Sequence, residues 1–274
     1  MDREKKKIQL QGVAETFLWT LYNRAMESKG KSPVLKDPMA EEIFDQIDYP
    51  YEQKFGAPNN LFHPIRSRIF DEEIESFIKQ YPDGVIVNLG EGLETHRFRV
   101  KANGNLWVTV DLPEAIRIRE MFITPDARHI HLACSALDRR WMEMLDPKTP
   151  TLINAQGLLM YFKEDEVKNL IQEIGHYFDR ATMVFDVINE RYSKQTVKGY
   201  RITKDYMAPP MPWGINRKDA KKILSSWCKE IQTIEEIHFY FPYGWKKGFF
   251  RMAYRLPWVK DYAPLLLKVH MEKK

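Results

Sequence analysis

The chain has 274 residues, 42 Lys+Arg against 38 Asp+Glu for a formal charge of +4, and is 44% hydrophobic and 29% charged. That is the composition of one large or two small folded domains, and it excludes disordered, collagenous and coiled-coil classes. Two cysteines, Cys134 and Cys228, rule out a disulfide framework, and the spread of the basic residues gives no nucleic-acid footprint.

The N-terminal run MDREKKKIQL leads into no apolar stretch of a secretory leader. The longest nearly uncharged apolar segment, Thr151 to Phe162, falls short of the roughly 20 residues a membrane helix needs. The expectation is a cytoplasmic protein with no membrane and no nucleic-acid partner, as a monomer or a homo-oligomer.

Along the chain, residues 1–80 read as a helical cap. Val13, Phe17, Leu18, Leu21, Tyr22 and Ala25 recur at helical spacing and form one apolar face. Asp37-Pro38 reads as an N-cap with proline in the first turn, opening a helix through Phe44. After a polar, proline-containing stretch from Asp48 to Pro64, a third helix turns Ile69, Ile74, Phe77 and Ile78 inward and Glu72, Glu73, Glu75 and Lys79 to water.

From residue 81 the pattern becomes alternating strands and helices. Strands are expected at 85–89, 106–110, 129–134, 151–155 and 182–188, with helices at 113–122, 138–145, 164–178 and 217–227. Short apolar runs separated by helices predict a buried parallel sheet of the α/β class with right-handed crossovers. The segments 231–241 and 248–256 read as a C-terminal hairpin that closes the sheet with an antiparallel edge. An aromatic and proline-rich insertion near 190–214 reads as a lid.

Chemistry concentrates in Val87-Asn-Leu-Gly90-Glu-Gly92-Leu-Glu-Thr95. A strand ends there, glycines permit a sharp turn and close ligand approach, and a helix start offers free N–H groups. Asp111 ends the next strand about 20 residues on, where a carboxylate grips a ribose diol; its other reading is an N-cap for the helix at Pro113. A dinucleotide turn needs a third glycine where this chain has Thr95. The acids Glu91 and Glu94 would repel a pyrophosphate and suit a sulfonium, so the expected cofactor is S-adenosylmethionine.

These segments resemble the leucine carboxyl methyltransferase family, which also holds polyketide O-methyltransferases of the TcmP type. The matching pieces are Arg66-Ser-Arg-x-x-Asp71, Asn88 through Arg99, Val110-Asp-Leu-Pro-Glu114, Ser135-Ala-Leu-Asp138-x-x-Trp141 and Pro150 through Tyr161, in family order. The resemblance implies a Rossmann-like class I methyltransferase with a seven-stranded, mostly parallel sheet. It implies that Arg66 binds the methionyl carboxylate, Gly90 underlies the methionine, Asp111 holds the ribose, Ser135 and Ala136 flank adenine, and Gln156 meets the methionyl amine; Gly92, by lacking a Cβ, lets the ligand approach the backbone. The family often has Asp at the position of Ser135 and Glu at that of Gln156; both are neutral here.

No zinc site follows from His129-x-His131, since no cysteine pair or carboxylate set completes it. Neither a serine-nucleophile elbow nor a phosphate-binding P-loop is present. An acceptor carboxylate is ionised at pH 7 and needs no base, so positioning suffices; a hydroxyl acceptor would need one, with His96, Tyr161 or Tyr192 as candidates. Tyr192, Tyr206 and Trp213 are the expected acceptor contacts. A small-molecule O-methyltransferase is the first reading, beside a protein C-terminal carboxyl methyltransferase and a cofactor-binding module without turnover.

Overall fold

The computed structural model describes residues 5–58, 61–101, 104–239 and 264–273. Seven strands form the central sheet: β1 (Val85–Leu89), β2 (Trp107–Asp111), β3 (His129–Ala133), β4 (Thr151–Ala155), β5 (Arg180–Val187), β6 (Ile231–Ile237) and β7 (Leu265–Glu272). Their order is β3-β2-β1-β4-β5-β7-β6, and only β7 runs antiparallel to its neighbours. Strand order reverses between β1 and β4, so their carboxyl ends open a crevice where such sheets bind ligands.

Period-two alternation assigns each strand residue to a face. Val85, Val87 and Leu89 join one core with α8 (Glu164–Tyr177), α10 (Arg217–Trp227) and the buried Trp141. Ile86, Trp107, Leu152 and Val184 join the opposite core, covered by α4 (Phe62–Gln80) through Ile65, Ile69, Phe70, Ile74 and Phe77. The third helix of the sequence reading is therefore a sheet-covering helix.

The remaining N-terminal elements, α1 (Thr16–Ser28), α2 (Pro38–Asp45) and α3 (Tyr51–Phe55), bury Leu18, Leu21, Tyr22, Ala40, Ile43 and Tyr51 together with Leu93, Ile118 and Ile123 of the sheet domain. The Asp37 carboxylate accepts the Ala40 N–H at 3.0 Å, the expected N-cap. The segment α3 arises inside the stretch read as irregular.

Two helices are shorter than their sequence patterns. The segment from 113 ends at Arg119 as α6 (Pro113–Arg119) because the next turn tightens to i→i+3 bonds, Met121 to Ile118 and Phe122 to Arg119. Likewise α7 (Arg140–Glu143) is a single turn. After β5, the segment read from the sequence as a lid folds as α9 (Glu190–Val197) and a two-stranded ribbon, Tyr200–Thr203 with Tyr206–Ala208.

At the sheet edge, β6 pairs with β7, residues 265–272. The segment 248–256 lies outside the described residues. Among the described residues no helix is long and apolar enough to cross a membrane, and no three His, Cys, Asp or Glu side chains gather as a metal site.

Candidate functional site

Gly90 and Gly92 adopt φ of +62° and +52°, the left-handed region that favours glycine. The Gly90 N–H continues the ladder to the Val110 carbonyl at 2.8 Å. The Asp111 carboxylate then closes the turn from outside, accepting the Gly92 N–H and the Leu112 N–H, each at 2.8 Å. Asp111 thus staples the glycine turn to the end of β2 rather than capping the following helix. Burial pushes its carboxyl above the ordinary value.

Inside the turn lies a small polar cavity of about 60 Å³ between β1, β4, α1 and α4. Arg66, Gly90, Glu91, Glu94, His96, Asn154 and Gln156 line it. The two acids are not free charges. Burial raises Glu91, which accepts a bond from the Thr109 hydroxyl and sits 3.1 Å from Arg119. Burial would raise Glu94 as well, yet Arg24 and Arg99, at 3.1 and 2.9 Å, hold it well below the ordinary carboxylate range. Their attraction for a sulfonium, expected from the sequence, is therefore spent on the protein's own guanidiniums.

The unpartnered atoms in this cavity point to its ligand. Gln156 donates its amide N–H groups to Glu94 at 3.0 Å and Ser67 at 3.3 Å, which leaves its Oε1 buried with no partner; the Asn154 Oδ1 is equally orphaned. Buried acceptors without partners are costly, and two of them suit an ammonium. The Arg66 Nε is also orphaned and suits a carboxylate. Facing acceptors and guanidinium across a Cβ-free turn fit the amino-acid end of S-adenosylmethionine.

Ser135 and Ala136 follow β3, next to the end of β2, and line neither this cavity nor the next. The Ser135 Oγ accepts the Leu137 N–H at 3.2 Å, and the Ala136 carbonyl takes the Trp141 indole N–H at 3.0 Å.

A second cavity of about 280 Å³ opens on the other side of Arg66, sharing Thr16, Thr20, Arg66 and Gly157 with the first. At the shared wall Arg66 Nη1 donates to Asp186 Oδ2 at 2.9 Å, and Asp186 Oδ1 accepts the Gly157 N–H at 2.6 Å. Trp19, Phe62, Met160, Tyr161, Tyr192, Tyr206 and Met211 make the larger cavity aromatic and apolar, and the segment 190–214 supplies the last three of these together with Ala208 and Pro209.

Tyr192 and Tyr206 line it, and the Tyr206 hydroxyl is buried without a partner. Trp213 does not: it is 2% exposed and packs 6.2 Å from Trp227 in the sheet core. The Trp213 N–H bonds the Met160 carbonyl at 3.3 Å and the Ile215 N–H bonds Ile188 at 2.8 Å, pinning the loop onto the sheet. Trp213→Phe is accordingly expected to lower stability by roughly 1–2 kcal/mol in denaturant titration and to leave acceptor preference unchanged.

Burial pushes the Tyr161 phenol up to about 12 and raises Tyr192 as well, so neither is a ready base. His96, at the start of the single-turn α5 (His96–Arg99), faces the smaller cavity and bonds Asp71 at 2.5 Å, away from the aromatic space. The sequence reading missed Asn154 and Asp186 at the cavity walls and also His63, which lines the larger cavity one turn before Arg66. Its spacing of three from Arg66 puts both on one helix face, a signal hidden because the stretch up to Pro64 read as irregular.

The family model for leucine carboxyl methyltransferase matches residues 18–175. The chain is 28% identical over 183 residues to the tetracenomycin polyketide synthesis O-methyltransferase TcmP of Streptomyces glaucescens, covering 66% of this chain and 68% of that protein. It is 27% identical over 192 residues to the S-adenosyl-L-methionine-dependent methyltransferase dpfgK of Gibberella zeae, covering 64% of each chain. The chain thus spans about two thirds of the length of these relatives. Among solved structures, a possible exported protein from Bordetella parapertussis superposes with a TM-score of 0.51 at 11% identity, over 95% of this chain and 97% of that one, which speaks to the fold.

Proposed function

The chain belongs to the leucine carboxyl methyltransferase family, and from that premise we propose that it methylates an oxygen of a small aromatic molecule at the expense of S-adenosylmethionine. The observation that carries this reading is the pair of cavities meeting at Arg66 and Gly157. The polar one suits the methionine end of the cofactor, and the aromatic one suits a planar acceptor.

When bound, S-adenosylmethionine supplies an electrophilic methyl group on a sulfonium. The chain's part is positioning, which can lower a barrier by roughly 7–11 kcal/mol. Arg66 and the Gln156 and Asn154 acceptors orient the amino-acid end; Asp186 holds Arg66 in place; the rings of Trp19, Tyr192 and Tyr206 exclude water around the acceptor. The carboxylate Asp186 is engaged by Arg66 and Gly157, and Tyr161 is held near 12 by burial. A group already ionised at pH 7, an acceptor carboxylate, therefore fits this cavity better than an alcohol that requires a base.

The aromatic, ring-sized cavity favours a small molecule over the C-terminal tail of a protein. The two free, buried cysteines, Cys134 and Cys228, suit a reducing, cytoplasmic location. The neutral Gln156 is compatible with cofactor binding because its oxygen is free to accept from an ammonium.

Excess S-adenosylhomocysteine at about 100 times its Kd is expected to add about 2.7 kcal/mol, several degrees in melting temperature for a chain of this size. No shift at millimolar concentration would overturn the cofactor reading.

A further inference from the structure

We propose that His63 is a specificity-determining hydrogen-bond donor in the acceptor cavity, fixed as the Nε2–H tautomer by Asn23, and that it selects acceptors with a second oxygen beside the one that is methylated. This inference rests on the reading of the aromatic cavity as the acceptor site.

The argument begins on α1. Asn23 is 2% exposed. Its Nδ2 donates to the Trp19 carbonyl one turn back at 2.9 Å and lies 3.1 Å from the His63 Nδ1. The bond to Trp19 fixes which end of the amide faces the ring, since an oxygen there would face the carbonyl oxygen. A donor therefore faces Nδ1, Nδ1 accepts, and a neutral imidazole must carry its proton on Nε2. The ring is held edgewise by Trp19, 5.2 Å away at 87°, and by Phe62 at 5.7 Å.

Charge supports the same state. Burial disfavours the imidazolium, and Arg66 and Arg24 add to this while Glu94 opposes them; the balance lies well below the ordinary histidine value. Among the described residues Nε2 has no hydrogen-bond partner, and His63 lines the cavity. The ring therefore offers a fixed N–H donor into a mostly apolar space. It cannot serve as a base while Nδ1 is committed to Asn23.

A donor of this kind needs an oxygen that is not the nucleophile. In a carboxylate, one oxygen attacks and the other accepts from Nε2–H. In a phenol with an ortho carboxylate or carbonyl, the substituent accepts. A bare phenol or alcohol leaves the N–H unpaired in an apolar pocket, and that loss discriminates strongly. Asn23 acts through His63 and is a positioning residue.

The test has two arms on the S-adenosylhomocysteine-loaded full chain. Nitrogen-15 NMR of the imidazoles is expected to show His63 neutral at pH 7 with the proton on Nε2, and Asn23→Leu is expected to yield a tautomer mixture. A proton on Nδ1, or a charged ring, would overturn the lock. Binding of 1-hydroxy-2-naphthoate and 1-naphthol is then compared by fluorescence. The wild type is expected to prefer the hydroxynaphthoate roughly tenfold or more; His63→Leu should erase that preference, and His63→Gln, which retains a donor, should restore part of it. An unchanged preference in His63→Leu overturns the role of His63. If the wild type binds neither compound while the melting shift with S-adenosylhomocysteine persists, the acceptor class falls and the cofactor reading stands.

Discussion

Arg24→Leu is expected to lower folding stability by about 3–5 kcal/mol, a large share of the 5–15 kcal/mol of an ordinary domain. Arg24 is fully buried. It bonds Asp37 at 2.5 Å, the Thr95 hydroxyl at 2.8 Å and the Leu93 carbonyl at 2.7 Å, with Glu94 at 3.1 Å. Arg99 reaches the same carboxylates and also Asp71. Leucine fills the space but strands Asp37, itself fully buried, with half its compensation.

The pH dependence carries the same signature. Burial would raise Asp37, but Arg99 and Arg24 outweigh it and hold the carboxyl below its ordinary value, as they do for Glu94. A carboxyl depressed in the folded state contributes stability that is complete above its unfolded value near 4 and is lost as pH falls through the folded value. Urea titrations from pH 7 to pH 3 are expected to show a steep loss below about 4 in the wild type and a shallower one in Arg24→Leu. Equal midpoints at pH 7 would refute the account.

Gly157→Ala is expected to weaken S-adenosylhomocysteine binding roughly 10- to 100-fold while the fold persists. Gly157 has φ of +66°, and an added Cβ would lie 2.8 Å from Arg66 Nη1 and 3.2 Å from Nη2. The left-handed conformation costs alanine about 1–2 kcal/mol, chiefly in stability. The methyl also drives the guanidinium from the shared wall of the cavities, and a charge-assisted hydrogen bond is worth about 1.5–3 kcal/mol. Calorimetric titration beside a far-UV dichroism spectrum separates the two effects. Unchanged affinity in a folded variant would mean that the methionine end binds elsewhere than against Arg66.

What could be read from the chain alone follows the range of the forces involved. The strand at 85–89 and its glycine turn were legible because a run of apolar residues and two left-handed glycines are local signals. Gln156 and Asp111 were legible as the ends of strands. His63 was not, since its clamp joins residues 40 apart in sequence and its helix begins in a stretch rich in polar residues and proline. Glu91 and Glu94 were misjudged because a sequence gives the sign of a charge but not its partner: Arg119 and Arg24 lie 28 and 70 residues away. Trp213 was misplaced because an aromatic residue in a loop carries no mark of which side it faces. Its direction is set by a backbone so close to Asn189 that a Cβ on Gly214 would meet that carbonyl at 2.8 Å.

The arginine–carboxylate cluster also sets where this chain can be cut and rejoined. Anyone grafting the N-terminal segment of a relative, to exchange one acceptor specificity for another, would be drawn to a crossover near residue 80, where helices give way to the sheet. That seam separates Arg24, Asp37 and Asp71 from Glu94, Thr95 and Arg99, and a hybrid joined there inherits charges chosen for a different counterpart. A seam after Arg99 transplants the whole set intact, together with the glycine turn, so the smallest exchangeable unit of specificity carries part of the cofactor site with it.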